Sequence, residues 1–128
     1  MNTNQKETQL LYLQIYASII LIISTVISTI LTNNNIKKHE NKQTIFSPKT
    51  ESKVTITNRV ILTILVIIFT YINYKFYEIN KDTKKSNIQK NEFIASILTL
   101  IAGFILLYTT IKSEKENNQN TNPNTPIL

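Results

Sequence analysis

Apolar residues in this chain are gathered into three long blocks, at 10–32, 60–79 and 93–111, and polar residues fill what lies between them. Each block holds about 19 to 23 residues, enough at roughly 1.5 Å per residue to cross a hydrocarbon layer about 30 Å thick. None shows the polar face that a helix packed in a water-soluble fold presents to solvent. Burying three such helices without lipid would leave a large apolar surface in water. The pattern therefore predicts an all-α integral membrane protein: three transmembrane helices, at 10–32, 59–79 and 93–112, with short polar connectors. Residues 1–9 form a polar tail too short to fold, 33–58 and 80–92 are basic connectors, and 113–128 reads as a disordered C-terminal tail rich in Asn, Thr and Pro.

Local signals set the expected boundaries. The triplet Asn33-Asn34-Asn35 is expected to end the first span. Thr57 or Asn58 is expected to cap the second, and Asn91 the third, by accepting from unpaired helix N–H groups. Within the first connector, Thr44-Ile45-Phe46-Ser47-Pro48 reads as a turn. Val54-Thr55-Ile56-Thr57 alternates like a strand, though four residues make no stable sheet alone. The first span is expected to be retained rather than cleaved as a signal, since its apolar stretch is long and no small-x-small site follows it.

Polar residues inside the spans fall in order. Gln14, Ser18, Leu21, Thr25, Ser28 and Thr32 step by three and four residues along one helical stripe, and Ser96, Thr99, Gly103, Leu106 and Thr110 form a similar one in span three. Apolar side chains gain little by leaving lipid, so small and hydroxylated residues mark where helix backbones approach. Gly103 is the only glycine in the chain and lies mid-span, which points to a close neighbour. The expected helix-packing and interface residues are thus Gln14, Ser18, Thr25, Ser28, Ser96, Thr99 and Gly103, with spans one and three as parallel neighbours against span two. Asn73 joins them as a candidate for an interhelical hydrogen bond. Span two ends in Tyr71, Tyr74, Lys75, Phe76 and Tyr77, an interfacial belt in which Tyr71, Tyr74 and Tyr77 anchor in the headgroups. Lys75 snorkels to the same surface and pairs with Glu78.

Charge adds a direction. The net charge of +6 is carried almost wholly by lysine, with Arg59 the one arginine. Lysines sit beside the spans rather than interleaved with aromatics, which is the pattern of juxtamembrane segments meeting anionic lipid headgroups and not of a nucleic-acid binder. Counting Arg59 with the first connector, that connector and the C-terminal side carry eight cations against six on the opposite side. The first span is flanked by Lys6 on one side and by Lys37, Lys38 and Lys42 on the other. By the positive-inside rule the N-terminus is expected outside and the C-terminus in the cytoplasm of a plasma membrane. The abundance of Lys, Asn and Ile resembles the usage of small membrane proteins from AT-rich bacteria.

Chemistry is sparse. There is no cysteine, His39 is the only histidine, and no phosphate-binding glycine loop, nucleophile elbow or paired intramembrane carboxylates can be found. No catalytic residue, cofactor or metal is therefore expected. The expectation is a non-enzymatic accessory or interaction subunit, associating with itself or with a larger membrane protein through the small-residue faces of spans one and three. Two alternatives stand beside it. In span count, size and charged tail the chain resembles three-span phage holins, a resemblance that implies a membrane-permeabilising oligomer with the N-terminus out and the C-terminus in. The other alternative is a small immunity or stress protein that shields the membrane.

Overall fold

A computed structural model describes residues 2–119 as three helices: α1 Thr3–His39, α2 Pro48–Asn80 and α3 Ser86–Gln119. No strand occurs among the described residues, and residues 54–57 lie inside α2. All three helices outrun their apolar blocks, because terminal signals lie further out than the apolar boundaries. At the start of α1, Asn2 and Gln5 form a capping box: Asn2 Oδ1 accepts from the Gln5 N–H at 2.8 Å, and Gln5 Oε1 accepts from the Asn2 N–H at 3.1 Å. The N-terminal tail is therefore helical from Thr3. At the other end the asparagine triplet does not break the helix, which continues to His39. There Asn41 adopts a left-handed φ of 57°, and the Asn41 and Lys42 N–H groups return to the carbonyls of Lys38 (3.1 Å) and Lys37 (2.8 Å). That is a Schellman closure, with Lys37, Lys38 and His39 placed against the negative end of the helix dipole.

Helix α2 starts ten residues before the expected caps. Ser47 is the N-cap, accepting from the Thr50 N–H at 3.3 Å; Pro48 occupies the first turn, where its missing N–H costs nothing. Thr57 and Asn58 are interior residues. Likewise α3 begins at Ser86, and Asn91 lies within it instead of capping it. The first seven residues of the expected disordered tail, 113–119, belong to α3; the rest, 120–128, lies outside the described residues.

Consecutive helices run antiparallel, with α2 in the middle. It packs on both α1 and α3, whereas the backbones of α1 and α3 do not approach each other among the described residues, so the expected α1–α3 neighbourhood is not formed there. Against α2, α1 buries Leu10, Ala17, Ser24 and Leu31, a seven-residue spacing typical of coiled-coil seams, and then Asn34. From α2 the buried set includes Thr63, Leu65 and Ile72. Helix α3 touches only α2, with Phe93, Ser96, Leu100, Gly103, Leu107 and Thr110 half-buried along the same repeat. None of the most apolar stretch of α3 is fully buried, and Ile15, Ile22, Leu98 and Ile105 are among many large apolar side chains left exposed. A water-soluble domain does not tolerate such a surface. All three helices are long and apolar enough to span a bilayer, so the chain is a multi-pass, all-helical membrane protein.

Cross-helix contacts fix how the three blocks align in depth. Asn58 of α2 meets Ser24 and Ser28 of α1, and Asn80 meets Glu7; on the other side Asn73 meets Ser96 and Tyr74 meets Phe93. Carried along each helix, this register sets Leu10, Lys75 and Phe93 at one level and Ser28, Asn58 and Ile111 at another. The slab between those levels spans roughly 17 helical steps along α2, or about 26 Å, close to the thickness of a hydrocarbon core. Arg59 and Lys112 stand at one rim and Lys75 at the other, with no lysine, arginine or carboxylate of the described helices between them.

Candidate functional site: polar contacts at the two membrane rims

The polar residues of the spans divide into those that join α1 to α2, those that join α2 to α3, and those turned away from both. At the first rim, the Asn58 carboxamide bridges two hydroxyls of α1. Its Oδ1 accepts from Ser24 Oγ at 2.5 Å and its Nδ2 donates to Ser28 Oγ at 2.9 Å. Ser24 and Asn58 are only 1% and 5% exposed, so this pair of bonds satisfies groups that lipid would not.

Just outside that rim lies a second cluster built on Asn34, which is fully buried. Its Nδ2 donates to Glu51 Oε2 at 2.5 Å, while its Oδ1 accepts from the N–H groups of Ile45 (3.0 Å) and Phe46 (3.2 Å). Glu51 also pairs with Lys38, and it sits in the first turn of α2, where the helix dipole favours a carboxylate. One side chain thereby ties the end of α1, the connecting turn and the start of α2 together.

At the opposite rim Asn73 Nδ2 donates to Ser96 Oγ, and Ser96 also donates to the Glu92 carbonyl at 2.9 Å. Thr70 Oγ1 reaches both the Val66 carbonyl (2.8 Å) and the Ser96 carbonyl (3.3 Å), and Tyr74 and Phe93 stack tilted at 5.3 Å. Asn73 thus makes an interhelical bond of the kind its sequence position suggests. Lys75 Nζ lies 3.5 Å from Glu78 Oε2 and 5.8 Å from the ring centres of both Tyr71 and Tyr74. A cation over two rings beside a carboxylate is held near the surface without leaving water. Tyr77 is half-buried one turn beyond Tyr74. The register adds exposed Tyr12 of α1 to this belt, with exposed Tyr16 a turn deeper, and places exposed Tyr108 of α3 near the other rim.

The remaining expected interface residues divide between the helix contacts and the outward faces. Ser18 is half-buried and Ser28 is taken up by Asn58. Gln14 and Thr25 are exposed on α1, and Thr99 is exposed on α3. Thr25 and Thr99 donate to carbonyls four residues back, Leu21 and Ala95, each at 2.9 Å. Gly103 lies on the α2-facing side of α3, yet a methyl group added there would meet nothing within 4 Å. The close neighbour that its sequence position suggests is therefore not supplied by the described part of this chain. Gln14 has no hydrogen-bond partner among the described residues.

Sequence reasoning gave no contact role to Asn34, which it read as a span end, to Lys38 and Glu51, which it read as connector charges, or to Asn80, and it read Asn58 only as a cap. The available signal was the seven-residue series Leu10, Ala17, Ser24, Leu31, which puts Ser24 and not Thr25 at the centre of the α1 seam. Among the described residues no group of three or more His, Asp or Glu side chains is placed to hold a metal ion. No family model matches the chain, and comparison with curated proteins and with solved structures likewise finds no match.

Proposed function

We propose that this chain is a non-enzymatic accessory subunit of a bacterial plasma membrane, docking laterally on a larger membrane protein or a second copy of itself through the outward faces of α1 and α3. The observation that carries this is Gln14. Its carboxamide is exposed about one turn inside the rim and has no partner among the described residues, although two donors and an acceptor facing hydrocarbon are unfavourable by several kcal/mol. A polar group from another chain removes that cost. Thr25 and Thr99, both small and with hydroxyls already directed to their own helices, would let a neighbouring backbone come close without adding unmet donors. The eight cations flanking the Asn58 rim favour that end in the cytoplasm, with the Gln14 end outside.

A permeabilising oligomer would use these hydroxyls to line water. Thr25, Thr29, Thr32 and Thr99 instead bond back to their own backbones, which favours the docking face. The test is a photo-crosslinking residue at position 21, which is exposed on the same stripe as Gln14, or at position 99, in membranes of the native host, against one at Ile45 in the connector. Protein adducts from 21 and 99 that Gln14→Leu or Thr25→Leu weakens support the proposal. Adducts to lipid alone would remove it. Abrupt depolarisation on expression, abolished by bulky replacements at Thr99 and Gly103, would favour the permeabilising alternative.

A further inference from the structure

A cleft of about 560 Å³ opens between the first turns of α1 and the last turns of α2, and the docking proposal makes no use of it. Its walls change character with depth. Leu10 and Leu13 of α1 form the inner part with Tyr71 of α2, while Lys6, Lys75 and Glu78 line the outer part. The register puts Leu10 and Lys75 at the edge of the hydrocarbon slab, so the cleft straddles the boundary between acyl chains and headgroups.

Its charges are unequal. Lys6 is exposed and has no carboxylate within ion-pair distance among the described residues, and Lys75 shares its charge with Glu78 at 3.5 Å. The other nearby carboxylate, Glu7, is turned to Asn80, which donates to it at 3.3 Å. Two ammonium groups therefore flank one carboxylate directly above an apolar floor. We infer that this cleft binds one anionic phospholipid, its phosphodiester between Lys6 and Lys75 and its acyl chains over Leu10, Leu13 and Tyr71. A free phosphate would match the lysines but leave the apolar floor uncovered. A zwitterionic lipid would bring a choline cation whose one counter-charge among the cleft residues, Glu78, is already shared with Lys75. The site is specific in place, unlike the diffuse attraction between headgroups and the lysines of the connectors, and it does not depend on the docking proposal.

The test uses the full chain in detergent micelles, with bound lipid counted by native mass spectrometry during titration with dioleoyl phosphatidylglycerol or dioleoyl phosphatidylcholine. The expected result is a first phosphatidylglycerol bound in preference to phosphatidylcholine. The pair Lys6→Gln with Lys75→Gln should weaken it about tenfold, since each lysine near the surface contributes several-fold to such binding and Lys75 is partly neutralised. The connector pair Lys84→Gln with Lys85→Gln should leave it unchanged. Glu78→Gln frees Lys75 and should tighten binding, a change that loss of folding does not mimic. Equal weakening by both lysine pairs, equal affinity for phosphatidylcholine, or displacement by millimolar inorganic phosphate would each overturn the inference.

Discussion

Replacing Asn58 with leucine isolates the contribution of the α1–α2 polar seam. The substitution removes the bond that Ser24 donates at 2.5 Å and the one donated to Ser28 at 2.9 Å, and it puts an apolar side chain where the site is 5% exposed. Interhelical hydrogen bonds inside membranes contribute about 0.6 kcal/mol on average and at most about 1.7. Two of them suggest a loss of about 1–2 kcal/mol. The larger penalty for a stranded buried donor does not apply, because Ser24 and Ser28 can turn their hydroxyls to carbonyls four residues back. The assay is reversible unfolding of the full chain in bicelles by steric trapping, with Ser28→Ala and the double variant completing a thermodynamic cycle. The cycle should return a coupling near 0.6 kcal/mol between Asn58 and Ser28. A leucine variant as stable as the parent, with zero coupling to Ser28, would refute the claim that this seam holds α1 on α2.

Asn34→Leu should free the Ile45 and Phe46 amides and leave Glu51 with Lys38 as its partner, at a cost of about 1–3 kcal/mol, read as faster hydrogen exchange at those two amides while the spans stay protected. Gly103→Ala should be tolerated within the chain and should raise helix stability by about 1 kcal/mol, because the added methyl meets open space; a fall in the unfolding midpoint of the isolated protein would count against the packing described. Asn73→Leu should loosen α3 from α2 by about 0.6 kcal/mol and lengthen the Tyr74–Phe93 separation, measurable by spin labels on the two helices.

The three spans were legible because long apolar blocks have few other physical uses. The helix ends were not, for a reason visible at Asn33-Asn34-Asn35. Three asparagines are poor helix formers, yet Asn34 is held helical by tertiary bonds to Glu51 and the connecting turn, and the chain leaves the helix only where Asn41 takes a left-handed φ. Asn58 shows the same ambiguity, since a residue that caps a helix well also bridges two hydroxyls well. Ser47-Pro48 carried the true start of α2 in plain form. On α1 the residues that line up with small side chains and the residues that pack on α2 lie on adjacent stripes, one residue apart at Ser24 and Thr25. The seam becomes visible only when the seven-residue spacing is followed along its whole length. Asn73 was legible because an amide inside an apolar span needs a partner, whereas Ser96 became its partner through a register that only the packed helices supply.

The common depth of the three helices is the claim on which the membrane placement, the lipid cleft and the exposed Gln14 all depend. The chain contains no cysteine, so each cysteine introduced into it is unique. The most direct test therefore places single cysteines along α2 from 50 to 80 in intact membranes and measures labelling by a water-soluble maleimide. Labelling should fall off at about residue 57 and return at about residue 75, with matching edges at 28 and 10 on α1 and at 111 and 93 on α3. Uniform labelling across 60–72, or edges on α1 and α3 displaced by more than two turns from those on α2, would contradict the account.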